Sequence, residues 1–235
     1  MLNITFKGKT PEQYGAWLAN KPVITHSEVK RHSWEIPMHD GLEYAKDYYR
    51  GDAQCEILIH MKDENWRASI REVREWLSGY GRLVFSDSTD SFYEVVNVDL
   101  TEETRPADDY GRLKALMTLY PYEFLNSGET PLSTPTIVNN YGDSKPLIKI
   151  TGTAGATGTI NIRGHISFKM PSEGNLYIDV RNMEAYSIAQ NNDKKPADNK
   201  VNGDYERLIL KKGSNTISVS SGFTVEVTPN WGYYI

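Results

Sequence analysis

The residues of this chain that could do chemistry are few and thinly spread. Asp87-Ser88-Thr89-Asp90-Ser91 sets two carboxylates among three hydroxyls. A calcium loop of the EF-hand kind needs acids at alternate positions, a glycine at the sharp turn and a distal bidentate glutamate, and this run lacks that order. Asp and Ser side chains do favour a chain reversal, because they hydrogen-bond to nearby backbone amides. With Leu83 and Phe85 before it and Phe92, Tyr93 and Val95 after it, the run reads as the bend of a hairpin. None of the histidines, His26, His32, His39, His60 and His165, shows the helical spacing of a zinc protease. His32 and His39, with Asp40, sit at an odd separation across Pro37, so they could bind a metal only if the fold gathers them. The single cysteine, Cys55, excludes an internal disulfide. It shares a period-two face with Ala53, Ile57, Ile59 and Met61 and reads as a core thiol, since a nucleophilic thiolate needs a cationic, partly open setting. The glycines of "TGTAGATGT" (Gly152, Gly155, Gly158) precede a strand, whereas a phosphate cradle precedes a helix. No GxSxG elbow occurs. Paired carboxylates stay open, because their separation is not written in a sequence. The expectation is no catalytic residue, no metal and no cofactor.

The elements that would have to position such groups are mostly strands. "TINIRGHISF" puts Ile160, Ile162, Ile166 and Phe168 on one side, and "FTVEV" puts Phe223, Val225 and Val227 inward. Half-buried strands punctuated by Gly, Pro, Asn and Asp indicate antiparallel β architecture. One helix is expected over about 64–78, with Trp66, Ile70, Val73 and Leu77 as its apolar face, Asp63 as its cap and Gly79 as its stop. A helical turn is expected in "TPEQYGAWLA", with Pro11 at its first position and Tyr14, Trp17 and Leu18 on one side. At 235 residues the chain holds two domains. We place them at 1–130 and 131–235, joined through "LNSGETPLSTPTIVNNYGDSK", with residues 189–204 as a long surface loop. The start, "MLNITFKGKTPEQ", reads as a first strand rather than an export leader. No run approaches the roughly 18 apolar residues of a membrane span. A net charge of -5 argues against a phosphate-backbone ligand.

Tyrosines remain, crowded at "EYAKDYYRGD", "LYPYEF" and "NWGYYI". Tyr supplies large rigid contact area with a polar tip, so these clusters are candidate contact surfaces.

The order of elements carries a resemblance. An N-terminal strand, an extended hairpin round "IPMHDG", "QCEILIHM", the helix "NWRASIREVREWL", "GRLVFSDSTDSFYEV" and a strand ending "LYPYEF" resemble the N-terminal domain of the distal tail proteins of long-tailed phages. The second half, through "NNYGDSKPLIKITG", "LYIDV", "LKKGSNTISV" and "TPNWGYYI", is similar to that family's galectin-like domain. The resemblance implies a mainly β fold: an N-terminal β-sandwich with one packed helix, then a galectin-like sandwich. It implies a non-enzymatic hub in the virion, at the tail tip or baseplate, assembled in the host cytoplasm. The hub is a homo-hexameric ring lying between the tail tube protein and a tail-associated lysin or fibre protein. The second domain faces outward to hold receptor-binding or baseplate proteins, and genome passes through the ring without sequence-specific contact. An acidic protein suits a lumen that does not hold phosphate. The family's arm, which wraps the adjacent protomer, falls on residues 37–52 here, with Asp40, Gly41, Glu43, Tyr44, Tyr48, Tyr49 and Arg50 as interface residues. Two departures stand out: there is no room for an inserted carbohydrate-binding module, and Gly232 follows Trp231 where relatives often carry a basic residue. The alternative reading is a carbohydrate-binding module with Trp231, Tyr233 or Tyr177 as stacking platform. Galectins follow Trp-Gly with Glu and Arg, and this chain follows it with Tyr-Tyr-Ile.

Overall fold

The computed structural model describes residues 3–235 except 36, 39, 41, 63–65 and 108, and describes only the backbone of 45–48 and 66. The expected cap Asp63, together with His39 and Gly41, lies outside the described residues. The chain divides into two compact units, residues 1–123 with 234–235, and residues 124–233. The sequence reading puts the joint near residue 130.

In the first unit the strands are β1 (Ile4–Phe6), β2 (Ala16–Leu18), β3 (Val23–Thr25), β4 (Val29–Glu35), β5 (Leu42–Arg50), β6 (Ala53–Lys62), β7 (Gly81–Phe85), β8 (Ser88–Ala107) and β9 (Tyr110–Leu125). The main sheet runs β1-β7-β8-β9-β6-β2, with β3 also on β6. β6 shows why. Its Ala53, Cys55, Ile57, Ile59 and Met61 are at most 1% exposed, and their partners Leu119, Met117, Ala115 and Leu113 on β9 are as deeply buried. Each Ile, Leu or Met side chain among them contributes about 1.5–3 kcal/mol on leaving water. Helix α1 (Trp66–Trp76) covers this face with Ile70, Val73 and Trp76, followed by Leu77. The indole N–H of Trp76 donates to the Phe6 carbonyl at 2.9 Å, and Tyr14 stacks on the Trp76 ring at 5.2 Å. Gly79, at φ +68°, lets the chain turn away. The expected helical turn near residue 11 is a 3-10 turn, Pro11–Tyr14, ended by the left-handed Gly15, so Trp17 and Leu18 belong to β2. The β7–β8 hairpin bends at Ser86 and Asp87, earlier than the acidic run suggests. Ser88 to Ser91 are already strand, with the Ser91 hydroxyl donating to Glu123 at 2.5 Å.

In the second unit the strands are β10 (Thr136–Asn139), β11 (Leu147–Thr151), β12 (Thr157–Asn161), β13 (His165–Lys169), β14 (Asn175–Asp179), β15 (Glu184–Ile188), β16 (Lys194–Pro196), β17 (Val201–Asn202), β18 (Gly213–Thr216), β19 (Ser218–Val219) and β20 (Thr224–Thr228), with β21 (Gly232–Tyr234) leading out of it. A five-stranded sheet, β16-β15-β14-β11-β20, packs against a four-stranded one, β17-β13-β12-β19. Ile148, Ile150, Leu176 and Ile178 from the first meet Ile160, Ile166 and Phe168 from the second in one core. Gly158 makes room for rings: a Cβ there would lie 2.7 Å from Phe223 and 2.8 Å from Phe168. Two expectations need correction. The stretch expected to link domains supplies β10, whose Ile137 is buried and whose buried Asn139 amide donates to the carbonyls of Gly142 and Leu210. The hydrophilic residues 189–204 include β16 and β17, because a sheet edge needs backbone partners more than apolar side chains.

Candidate assembly surface

Among the described residues β4 and β5 pair only with each other and form a ribbon apart from the main sheet. Every residue of β4 is exposed. An isolated two-stranded ribbon is marginal in water, and this one carries Trp34 at 49%, Leu42 at 52%, Tyr44 at 56% and Tyr49 at 58% exposure. Asp40 is exposed at the bend, Glu43 faces Trp34, Tyr44 faces Ser33 and Tyr49 faces Lys30. Tyr48 pairs with Arg31 through its backbone, and its side chain lies outside the described residues. The ribbon therefore begins at Val29, earlier than residue 37. Its first strand buries neither face, so it gives no period-two signal to read.

A second feature is an open strand edge. β7 pairs with β8 only as far as Val95, and beyond it, among the described residues, β8 has no strand neighbour on that side. Val96 and Leu100 are exposed there, while Arg74 of α1 reaches Glu103 at 2.9 Å. The opposite edge of the sheet is β2 with β3, where Val23 is exposed.

The three tyrosine-rich stretches converge at the root of the ribbon. Tyr120 stacks on Tyr122 at 5.4 Å, Tyr122 meets Tyr234 at 4.8 Å, and the Arg50 guanidinium lies 4.4 Å from the centre of the Tyr234 ring. Cys55 is fully buried, and burial pushes its thiol up to about 12. Burial, and then the Arg112 charge, lowers the His60 pKa. Among the described residues no group of three or more His, Cys, Asp or Glu could hold a metal. The platform residues do not form one surface. Trp231 is buried in the second unit's core against Tyr141, whereas Tyr233 is half exposed. Tyr177 stacks flat on Tyr186 at 5.1 Å on the outer side of the five-stranded sheet, and among the described residues no ring contact joins it to Trp231 or Tyr233.

No family model matches the chain, and no curated protein matches it. Solved structures do. The crystal structure of the Dit protein of phage SPP1, described as a paradigm of the hub adsorption apparatus in phages infecting Gram-positive bacteria, matches with a TM-score of 0.66 at 11% identity, over 97% of this chain and 98% of that one. A chain of the phage P2 baseplate, in its activated conformation with calcium, matches with a TM-score of 0.53 at 9% identity, over 96% of each chain. From end to end this chain has the mainly β fold of the SPP1 Dit protein.

Proposed function

We propose that the chain is a non-enzymatic structural hub of a phage tail tip or baseplate. Six copies close a ring through the first unit, between the tail tube protein and a tail-associated lysin or fibre protein. The second unit, read as galectin-like, holds receptor-binding or baseplate proteins outward. Assembly takes place in the host cytoplasm and the product is part of the virion. The observation that carries this reading is the ribbon: strongly exposed aromatic residues on a free two-stranded element, in a chain whose full length shares the fold of a phage hub protein. Such an element gains most by adding to a neighbour's surface. The two unlike open edges of the main sheet favour a heterologous contact, which closes into a ring when the rotation allows. Residues Asp40, Gly41, Glu43, Tyr44, Tyr48, Tyr49 and Arg50, with Trp34 added, are the proposed arm interface.

Sedimentation and electron microscopy of the purified protein, alone and with the tail tube protein, test this. Sixfold rings are expected. Single chains at every concentration, with and without the tube protein, would overturn it. The carbohydrate-binding reading is the weaker one, since the burial of Trp231 removes its central ring from contact with a ligand.

A further inference from the structure

Four residues hold the root of the ribbon: Ser27, Arg50, Ile235 and Tyr234, the last residue of β21, which pairs with β9. The Ser27 amide donates to the Ile235 carbonyl at 3.0 Å, and the Ser27 hydroxyl donates to the same oxygen. Arg50, the last residue of β5, donates to the Ser27 hydroxyl at 3.3 Å and lays its guanidinium over the Tyr234 ring at 4.4 Å. Tyr234 leans on Tyr122, while Ile235 is only 8% exposed in the first unit's core and its amide donates to Pro121 at 3.3 Å. At the same root the Gly51 amide donates to the Glu28 carbonyl at 2.8 Å, which closes the ribbon on itself. Arg50 is half-buried, and its Nε is buried with no hydrogen-bond partner among the described residues, so part of the guanidinium has left water to lie on this root.

We infer that Tyr234 and Ile235 clamp the ribbon through Arg50 and Ser27 and fix the direction in which it leaves the first unit. Without them the ribbon is joined to the sheet by short connections at its two ends and can swing. With them it is aimed before any partner arrives, which lowers the ordering cost of docking it. The device belongs to the single chain and does not rest on ring formation.

Spin labels at Glu35→Cys, near the ribbon tip, and Glu72→Cys, on the exposed side of α1, read the angle as a distance distribution in the monomeric fraction. The native Cys55 does not compete, being buried with a raised pKa. One narrow distribution is expected in the parent. Tyr234→Ala and, separately, the milder Arg50→Gln should broaden it several-fold while each protein keeps its cooperative melt. Tyr49→Ala changes the other face of the same ribbon, since neighbouring strand residues point to opposite sides, and should leave the distribution narrow. A narrow distribution in both clamp variants, or a broad one in the parent, would overturn the inference.

Discussion

Two edge hairpins of this chain meet solvent on opposite terms. β15–β16 closes the five-stranded sheet of the second unit, and its outer strand reads Lys194, Lys195, Pro196. Lys194 pairs with Glu184 at 2.5 Å and Lys195 with Glu173 at 2.7 Å, while the proline has no amide to offer. Charge and proline are the usual means of blunting an edge. The β4–β5 ribbon of the first unit pairs with no other strand among the described residues and shows Trp34, Tyr44 and Tyr49 to water. Under the proposed function this contrast separates the tasks: the aromatic ribbon of the first unit would be joined by its own kind, and the second unit would remain available for other partners.

Removing the ribbon is the sharpest way to break that contrast. With residues 31–48 replaced by two glycines, assembly should be abolished, because the proposed contact is gone. The first unit's stability should shift by no more than about 1 kcal/mol, since, among the described residues, neither β4 nor β5 adds a side chain to its buried core. Rings that persist in the shortened protein, seen by sedimentation, would show that the sheet edges alone assemble it. The converse change is Ile150→Ala. That side chain is fully buried in the second core, so the second unit should lose about 2–5 kcal/mol. Ring formation should survive, and ring loss tracking the second unit's unfolding in calorimetry would contradict the division of labour. A smaller effect is expected of Trp34→Ala. The indole is half exposed in the single chain, so stability should barely move, while a buried aromatic anchor at an interface is worth about 2 kcal/mol, roughly thirtyfold in the assembly constant. An unchanged assembly midpoint would remove Trp34 from the interface.

The same contrast explains what could be read without coordinates. β6 and α1 were legible because one face of each is buried throughout: Cys55, Ile57 and Ile59 against solvent-facing neighbours, Ile70 and Val73 at helical spacing. Trp76 was missed because it lies at the rim of the helical stripe, and its burial depends on Phe6 and Tyr14 arriving from far along the chain. β4, β10 and β16 were illegible for a different reason. A strand that buries nothing carries no periodicity. β10 alternates over four residues only, with the polar Asn139 at one of its two buried positions. The pairing of such strands is fixed by backbone bonds that any side chain permits. At the candidate surface the tyrosine clusters were visible as composition. Their meeting at Arg50 was not, because Tyr120, Tyr122 and Tyr234 are brought there by pairings between distant segments.

The smallest expected effect concerns how the blunted edge is guarded. Glu173 accepts from Lys195 at 2.7 Å, from Ser172 at 3.0 Å and from the buried Ser187 hydroxyl at 3.2 Å. The Lys195 bond is the main cause, followed by a backbone hydrogen bond and Ser172, of a carboxyl held down at about 2 against an ordinary 4.5. A depressed carboxyl stabilises the fold above its unfolded value and loses that contribution as pH falls from 4.5 through 2. The melting-temperature gap between the parent and Glu173→Gln should therefore be open at pH 6, narrow across that window and close at its acid end. It should be small throughout, because water screens a pair this near the surface. A gap that ignores pH would mean the amide has disturbed packing rather than removed a charge. Since Pro196 remains, the variant should also stay unassociated through its second unit. If light scattering finds new self-association at pH 6, the ion pair and not the proline keeps that edge closed.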